Sequence, residues 1–348
     1  MRTALTKNQV IQAIERTSDS AHVPLLMCKW WGVGTAEKYG TKLTEMAAKY
    51  PDDIYITWHT APGADVSPIA NPDYRFGFKA DYRDASRHSI AEAPVVLPSW
   101  DELDLFLENF PNPHEKEIFD PVINDMQNAG NRYKVGGFWN VFHEQLWKIR
   151  GMENLFVDYF DEMGKLKIVA KKILEFHKVI VDRYAALGFD GIFTSDDLGH
   201  QSGPMMSPAI FKEFYLPLYK EFISYVHSKG MHVFLHSCGD NSLLMNYLVE
   251  AKLDVFHPVQ KGCMDEKETA EKFGDNISFL YGIDVQHLLP EGTVEDVRSG
   301  IIDAAKTFYK KSGGLLFAAG NGIMPDVPLE NIECMLETVT NIKSYILK

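Results

Sequence analysis

Cysteine is scarce in this chain: four in 348 residues, at Cys28, Cys238, Cys263 and Cys334. Four is too few for a disulfide framework in a chain this long, which points to a reducing, cytoplasmic setting. Long hydrophobic runs are missing as well. No stretch approaches the roughly 20 apolar residues that a membrane-spanning helix needs, so no membrane partner is expected. Positive charge is in deficit, with 35 Lys and Arg against 48 Asp and Glu and a formal net charge of −13. That balance argues against a general nucleic-acid surface. The opening stretch, "MRTALTKNQVIQAIERTSD", is amphipathic and has no long apolar core, so it reads as a first helix rather than a signal peptide. No glycine-rich dinucleotide fingerprint follows the first apolar run. No Gly/Ser linker or low-complexity tract divides the chain, and residues 1–348 are read as one domain.

What is present is an alternation. Short apolar runs, "VPLLMC" (23–28), "DIYITW" (53–58), "GGFWNVF" (136–142), "GIFTS" (191–195), "MHVFLH" (231–236), "LDVFHP" (253–258), "ISFLYG" (277–282) and "GLLFAAG" (314–320), are mostly followed by helix-length amphipathic segments. The clearest of those segments are 165–187, 208–229 and 329–347. Parallel strands buried on both faces read as continuous apolar runs rather than alternating ones. Eight such runs alternating with helices predict an α/β fold, a (β/α)8 barrel. Residues 61–113, rich in Pro, Asp, Asn and Tyr, break the rhythm and are read as an irregular insertion, the kind of segment that forms a lid or cap.

In a barrel of this type the reactive groups sit on the loops at the carboxyl ends of the strands. Each run here ends in a polar or aromatic cluster: Cys28 to Trp31; Trp58 and His59; Asn140, His143 and Glu144; Ser195, Asp196, Asp197, His200 and Gln201; His236 and Cys238; His257, Gln260 and nearby Cys263; Asp284; Asn321. In "FLHSCGD", His236 and Cys238 offer a neutral imidazole and a thiolate, both good zinc ligands. A buried core histidine with an inert thiol is the plain alternative. A thiolate nucleophile with His236 as base is the least favoured, because the spacing does not set the two groups up for it. Asp196 and Asp197 are adjacent and cannot both face the same way along an extended strand. One of them can face the mouth while the other caps the next turn. Trp30, Trp31, Trp58 and Trp139 could stack on a flat substrate or simply pack.

The stretch "GIFTSDDLGHQSGPMMSPAIFKEFYLPLYKEFISYVHSKGMHVFLHSCGD", with "FHEQLWKIRGMENLFVDYF", "VFHPVQ", "YGIDVQHLLPEGTVEDV" and "GGLLFAAGNGIMPDVPLENI", resembles the uroporphyrinogen decarboxylase-like superfamily. The resemblance runs from about residue 142 to the end and is loose before residue 130. It implies a (β/α)8 barrel, and either a porphyrinogen decarboxylase or a cobalamin-dependent methyltransferase. The decarboxylase branch carries an arginine-rich first loop, where this chain has "CKWWGVGTAEKYG" and no arginine. The methyltransferase branch binds zinc through an H-x-C motif after the fifth strand and a cysteine after the eighth. His236 and Cys238 match the first two ligands, while Asn321 in "AAGNGI" stands where the cysteine would be. The expected metal set is therefore His236, Cys238 and Cys263, with His257, Asp197 and Glu144 as further candidates for the third place. What the resemblance implies is transfer of a methyl group from a methoxylated aromatic, a phenyl methyl ether, to the cob(I)alamin of a separate small corrinoid protein. The corrinoid is placed on a partner because the chain has no D-x-H-x-x-G signature. His236, Asp196 and Asp197 are the expected catalytic residues. Trp30, Trp31, Trp58, His59, His200, Gln201, Gln260 and Asn321 are expected to contact substrate or corrinoid. A methylcorrinoid-to-thiol or folate methyltransferase, a decarboxylase and a non-catalytic binding module are the competing readings.

Overall fold

Eight strands are arranged in sequence order around one parallel sheet in the computed structural model, which describes residues 3–18, 20–60 and 95–347. They are β1 (Leu25–Leu26), β2 (Ile54–Trp58), β3 (Tyr133–Phe138), β4 (Gly191–Ser195), β5 (His232–His236), β6 (Val255–His257), β7 (Ser278–Ile283) and β8 (Leu315–Ala319). Each pairs in parallel with its neighbour from β2 round to β8, and β8 pairs with β1. The last seam, β1 to β2, carries the backbone bond from Asp53 N–H to the Leu25 carbonyl at 3.0 Å. Carboxylates reinforce it: Asp53 accepts from the Leu5 and Leu25 N–H groups, and Asp52 accepts from those of Met27 and Cys28. The expected (β/α)8 barrel is the observed fold. No helix among the described residues is long and apolar enough to cross a membrane.

The strands are buried nearly throughout, because helices cover the outside and side chains fill the inside. Burying one ring such as that of Phe193 contributes about 2–3 kcal/mol. The opening segment is a helix, Lys7–Ile14, with a Thr6–Gln9 capping box. It lies under the amino ends of the strands, where the Ala13 carbonyl accepts from Gly314 N–H and the Ile14 carbonyl from Ser278 Oγ. The reactive end is thus the opposite one. The long helices run over 163–186, and over 208–228 with a π-helical turn at Phe211–Tyr215. Pro217 follows that turn and has no N–H to offer the regular ladder.

Two expectations shift. The third strand is centred earlier than "GGFWNVF", at Tyr133–Phe138, because the chain leaves the sheet at Trp139 and Asn140 takes a positive φ of 65°. Within the predicted insertion, residues 103–108 form a helix after a short 3-10 turn at 100–102, so that part is not irregular. Residues 61–94 lie outside the described residues, and with them the expected lid.

Candidate active site

The loop after β5 is the centre of the mouth. Asn241 ties it down: its Nδ2 donates to the carbonyls of Ser237, Cys238 and Gly239, each at 3.1 Å. Gly239 has a φ of +80°, and a Cβ there would lie 2.3 Å from the Gly199 carbonyl carbon, so only glycine fits. The turn sets Cys238 Sγ 3.2 Å from His236 Nε2. From the neighbouring β4 loop, Asp197 Oδ1 accepts the Cys238 N–H at 2.8 Å and lies 3.8 Å from His236 Nε2. One ligand atom each from Asp197, His236 and Cys238 lies within 4.8 Å of the others.

The tautomer of His236 follows from its neighbours. The strand register pairs it with His257. His257 Nε2 lies 3.0 Å from the Ala319 carbonyl, which can only accept, so this nitrogen carries the proton. Deep burial holds His257 far below the ordinary imidazole range, hence neutral, and its Nδ1 is an acceptor. That nitrogen is 2.7 Å from His236 Nδ1, which must therefore be the donor. The lone pair of His236 is left on Nε2, facing Cys238 and Asp197.

This donor set fits zinc. A carboxylate oxygen, an imidazole nitrogen with a free lone pair and a sulfur converge, and the imidazole is oriented from behind by its other nitrogen. Burial, and then the Asp197 carboxylate, push the Cys238 thiol up. The sulfur is thus a thiol able to donate to His236 Nε2, and a cation held here would favour its thiolate instead. Asn321 Nδ2 sits 3.8 Å from Cys238 Sγ on the side of β8.

The expected residues divide. Asp197 takes the third corner of the cluster, the place expected of Cys263. Cys263 is not in that group; its Sγ lies against Gln201 Oε1 at 3.5 Å. Of the two adjacent aspartates, Asp196 is fully buried and anchors a helix. It accepts from the N–H groups of His143 and Glu144 and from Tyr219 Oη at 2.7 Å. Burial raises its pKa to about 6. Trp30 fills the barrel interior, stacked on His257 with centroids 5.1 Å apart and its Nε1 bonded to the Leu26 carbonyl. Trp31 makes a backbone bridge to Ile323. His59 packs against Phe119, Phe138 and Tyr184, where burial lowers its pKa to about 4. His200 and Gln201 lie on a small hairpin, Gly199–Pro204. Gln260 accepts the Gly239 N–H and so steadies the loop.

Trp58 and Trp139 stack on each other with centroids 4.6 Å apart, and the edge of Trp139 meets the His236 ring at 6.1 Å. The stack depends on Gly137, where a Cβ would lie 2.4 Å from the Trp58 ring. Sequence reasoning did not foresee that His257 would orient His236 from behind, or that Glu144 and Lys148 would lie near enough to feel each other's charge. Glu144 Oε2 accepts from Ser195 Oγ at 2.6 Å. Burial raises the Glu144 carboxyl, helped by Asp197 and Asp196, and lowers the Lys148 ammonium. The i, i+4 spacing on one helix was the available signal.

Residues 142–342, more than half of the chain, match the family model described as Uroporphyrinogen decarboxylase (URO-D). A methylated-thiol–coenzyme M methyltransferase of Methanosarcina mazei is 26% identical over 148 residues, which is 42% of this chain and 37% of that protein. The match thus spans well under half of the curated relative's length. A solved structure, a methyltransferase from Methanosarcina mazei, superposes with a TM-score of 0.66 at 15% identity over 97% of this chain and 98% of that one. At that identity the likeness is one of fold.

Proposed function

The chain belongs to the uroporphyrinogen decarboxylase family, and from that footing we propose that it is a corrinoid-dependent methyltransferase. The reaction proposed is transfer of a methyl group from a methoxylated aromatic to the cob(I)alamin of a separate corrinoid protein. One observation carries the reading: the Asp197–His236–Cys238 cluster stands at the barrel mouth with the Trp58–Trp139 stack against its imidazole.

The hard part of such a transfer is the leaving oxygen, which departs far more readily when its charge is drawn off. Zinc held by Asp197, His236 and Cys238 would supply that Lewis acidity. His257 fixes the His236 tautomer so that Nε2 points to the cluster, and Cys238 N–H holds the Asp197 carboxylate in place. The aromatic faces orient a flat ring, so that the methyl carbon is presented in line for attack from the open side. The dependence on arginine that a polycarboxylate substrate imposes finds no support in the first loop, where Lys29 and Lys38 are the cations and no arginine is present.

The partial likeness to a methylated-thiol methyltransferase favours a second reading, in which a thioether or thiol takes the place of the ether. An anaerobic assay separates them. With reduced corrinoid protein supplied, conversion of cob(I)alamin to methylcobalamin is followed spectrally with guaiacol, vanillate and a methyl thioether in turn. Turnover of the aryl ethers that is lost in His236→Ala supports the first reading. Turnover of the thioether alone supports the second, and silence with every donor sinks both.

A further inference from the structure

Glu144 is buried and held at both ends. It stands in the first turn of the helix His143–Arg150, and its backbone N–H donates to Asp196 Oδ1 at 2.8 Å. Its carboxyl is gripped by one oxygen. Oε2 accepts from Ser195 Oγ at 2.6 Å, and Ser195 Oγ in turn accepts the Asn140 N–H at 3.0 Å. Oε1 has no hydrogen-bond partner among the described residues. A buried carboxyl kept only for structure would pair both oxygens, since a polar atom left unpaired out of water is costly.

The carboxyl stands on the wall of the mouth. Ser195 is the last residue of β4 and lies in register with His236, and Asn140 follows Trp139, whose ring edge meets the His236 imidazole. The titratable groups around Glu144 are Asp196 and Asp197 on the β4 loop, Cys238 on the β5 loop, Tyr219 on the helix over 208–228 and Lys148 on its own helix. Two of them, Asp197 and Cys238, belong to the metal-ligand cluster. Burial first, and then the two aspartates, raise Glu144 to about 7, against the pull of Lys148. A cation at the cluster would offset Asp197 and leave burial in force. Oε2 is already the acceptor for the Ser195 hydroxyl, so the neutral carboxyl carries its proton on Oε1, the oxygen free to meet a guest.

We propose that Glu144 is the general acid of the methyl transfer, giving its Oε1 proton to the oxygen that leaves the methyl group. The inference rests on the proposed transfer from an aryl ether. In that step the carbon–oxygen bond breaks and its electron pair stays on oxygen. The methyl carbon bonds to the reduced corrinoid of the partner, and the Glu144 proton completes the phenol. Glu144 is left ionised and is reprotonated from solvent. Zinc would draw charge from the oxygen but brings no proton, so the two roles are complementary. A thioether makes no such demand, because its sulfur can leave as a thiolate and be held as one by a metal.

Glu144→Gln keeps the side chain's size and the acceptor for Ser195 and removes the proton. Single-turnover methylation of reduced corrinoid protein by guaiacol and by 4-methoxybenzonitrile, whose phenolate is the more stable, tests the role. Infrared difference spectra of the protein alone test the protonation. In wild type, guaiacol turnover should fall about tenfold per pH unit above about pH 7. Glu144→Gln should cost about 100-fold with guaiacol and less than about tenfold with the nitrile, and should flatten the pH profile. A carboxyl C=O band that fades as the pH rises through about 7 in wild type should be missing from the variant. Unchanged zinc and guaiacol affinities in the variant would show that the loss is neither unfolding nor misplacement. Equal losses with both ethers, a pH profile unaltered in the variant, the absence of the band, or weakened zinc binding would each overturn the proposal. If the variant demethylates both ethers as wild type does, the acid role falls and the methyl-transfer reading stands. If wild type demethylates neither ether, both fall together.

Discussion

His236 and His257 meet Nδ1 to Nδ1 at 2.7 Å, and the Ala319 carbonyl on the far side of His257 fixes the direction of the proton. The consequence reaches the candidate metal cluster, since only one tautomer of His236 presents a lone pair to Cys238 and Asp197. His257→Phe keeps a ring in the barrel interior against Trp30 and removes the acceptor. Zinc affinity should fall about 10–100-fold, the usual loss when a partner behind a ligating histidine is removed. Competition with a chromophoric chelator measures it. Unchanged affinity would mean that His257 orients nothing.

Buried histidines should make the fold acid-labile. Burial lowers the pKa of His143 and His177 to about 3 and of His59 to about 4. An unfolded histidine takes up its proton near 6.5. Between about pH 6.5 and those lower values the unfolded chain binds more protons than the native one, so stability is lost as the pH falls through this window. Each such histidine contributes a slope of up to about 1.4 kcal/mol per pH unit. Glu144 and Asp196, raised by burial, pull the other way, so the informative quantity is the change on substitution. His143→Phe should flatten the urea midpoint against pH between 6 and 4.5 by about one proton's worth. An identical slope would show that His143 is protonated in the native state.

The β1–β2 seam is held largely by side chains. Asp53 accepts from the Leu5 and Leu25 N–H groups at 2.7 and 2.9 Å and from His22 Nε2 at 3.1 Å. Asp53→Ala strands two buried backbone donors, at a cost of about 3 kcal/mol. Urea unfolding should show that loss, and hydrogen exchange at Leu25 and Leu26 should accelerate before exchange elsewhere in the sheet. A variant as stable as wild type would mean that the seam is held by other contacts.

The barrel was legible because its strands are buried on both faces. "GIFTS" matches β4 residue for residue, and "MHVFLH" misses β5 by one. The third strand was harder, because Gly136 and Gly137 look like a strand boundary when they are in fact where the Tyr184 and Trp58 rings press against the sheet. In the site, the His236–Cys238 pair was picked out by the chemistry of the two side chains and by the family resemblance, not by spacing alone. That Asp197 rather than Cys263 lies beside them could not be read, because Asp197 is held there by a backbone N–H of the neighbouring loop. Nor could the roles of Asp196 and Asp197 be assigned, beyond the rule that adjacent residues face opposite ways. The part played by His257 is a matter of register between two strands, which no local motif encodes.

Asn321 offers the sharpest test of how this site differs from its relatives. The resemblance puts a cysteine ligand after the eighth strand, and here an amide stands 3.8 Å from the Cys238 sulfur while its own Oδ1 accepts the Gly322 N–H at 2.7 Å. An amide is a weak zinc ligand beside a thiolate, so zinc held by Asp197, His236 and Cys238 would keep three strong ligands and one open side, as a catalytic rather than a structural site would. Asn321→Cys would close that side with a fourth strong ligand. Zinc affinity should rise by about tenfold or more, and methyl transfer should fall at the same time, because the leaving oxygen loses its place. Chelator competition and the corrinoid assay on one preparation read both effects. A rise in affinity with activity retained would put the reacting oxygen on another face of the cluster, and no rise at all would mean that position 321 does not reach the cation.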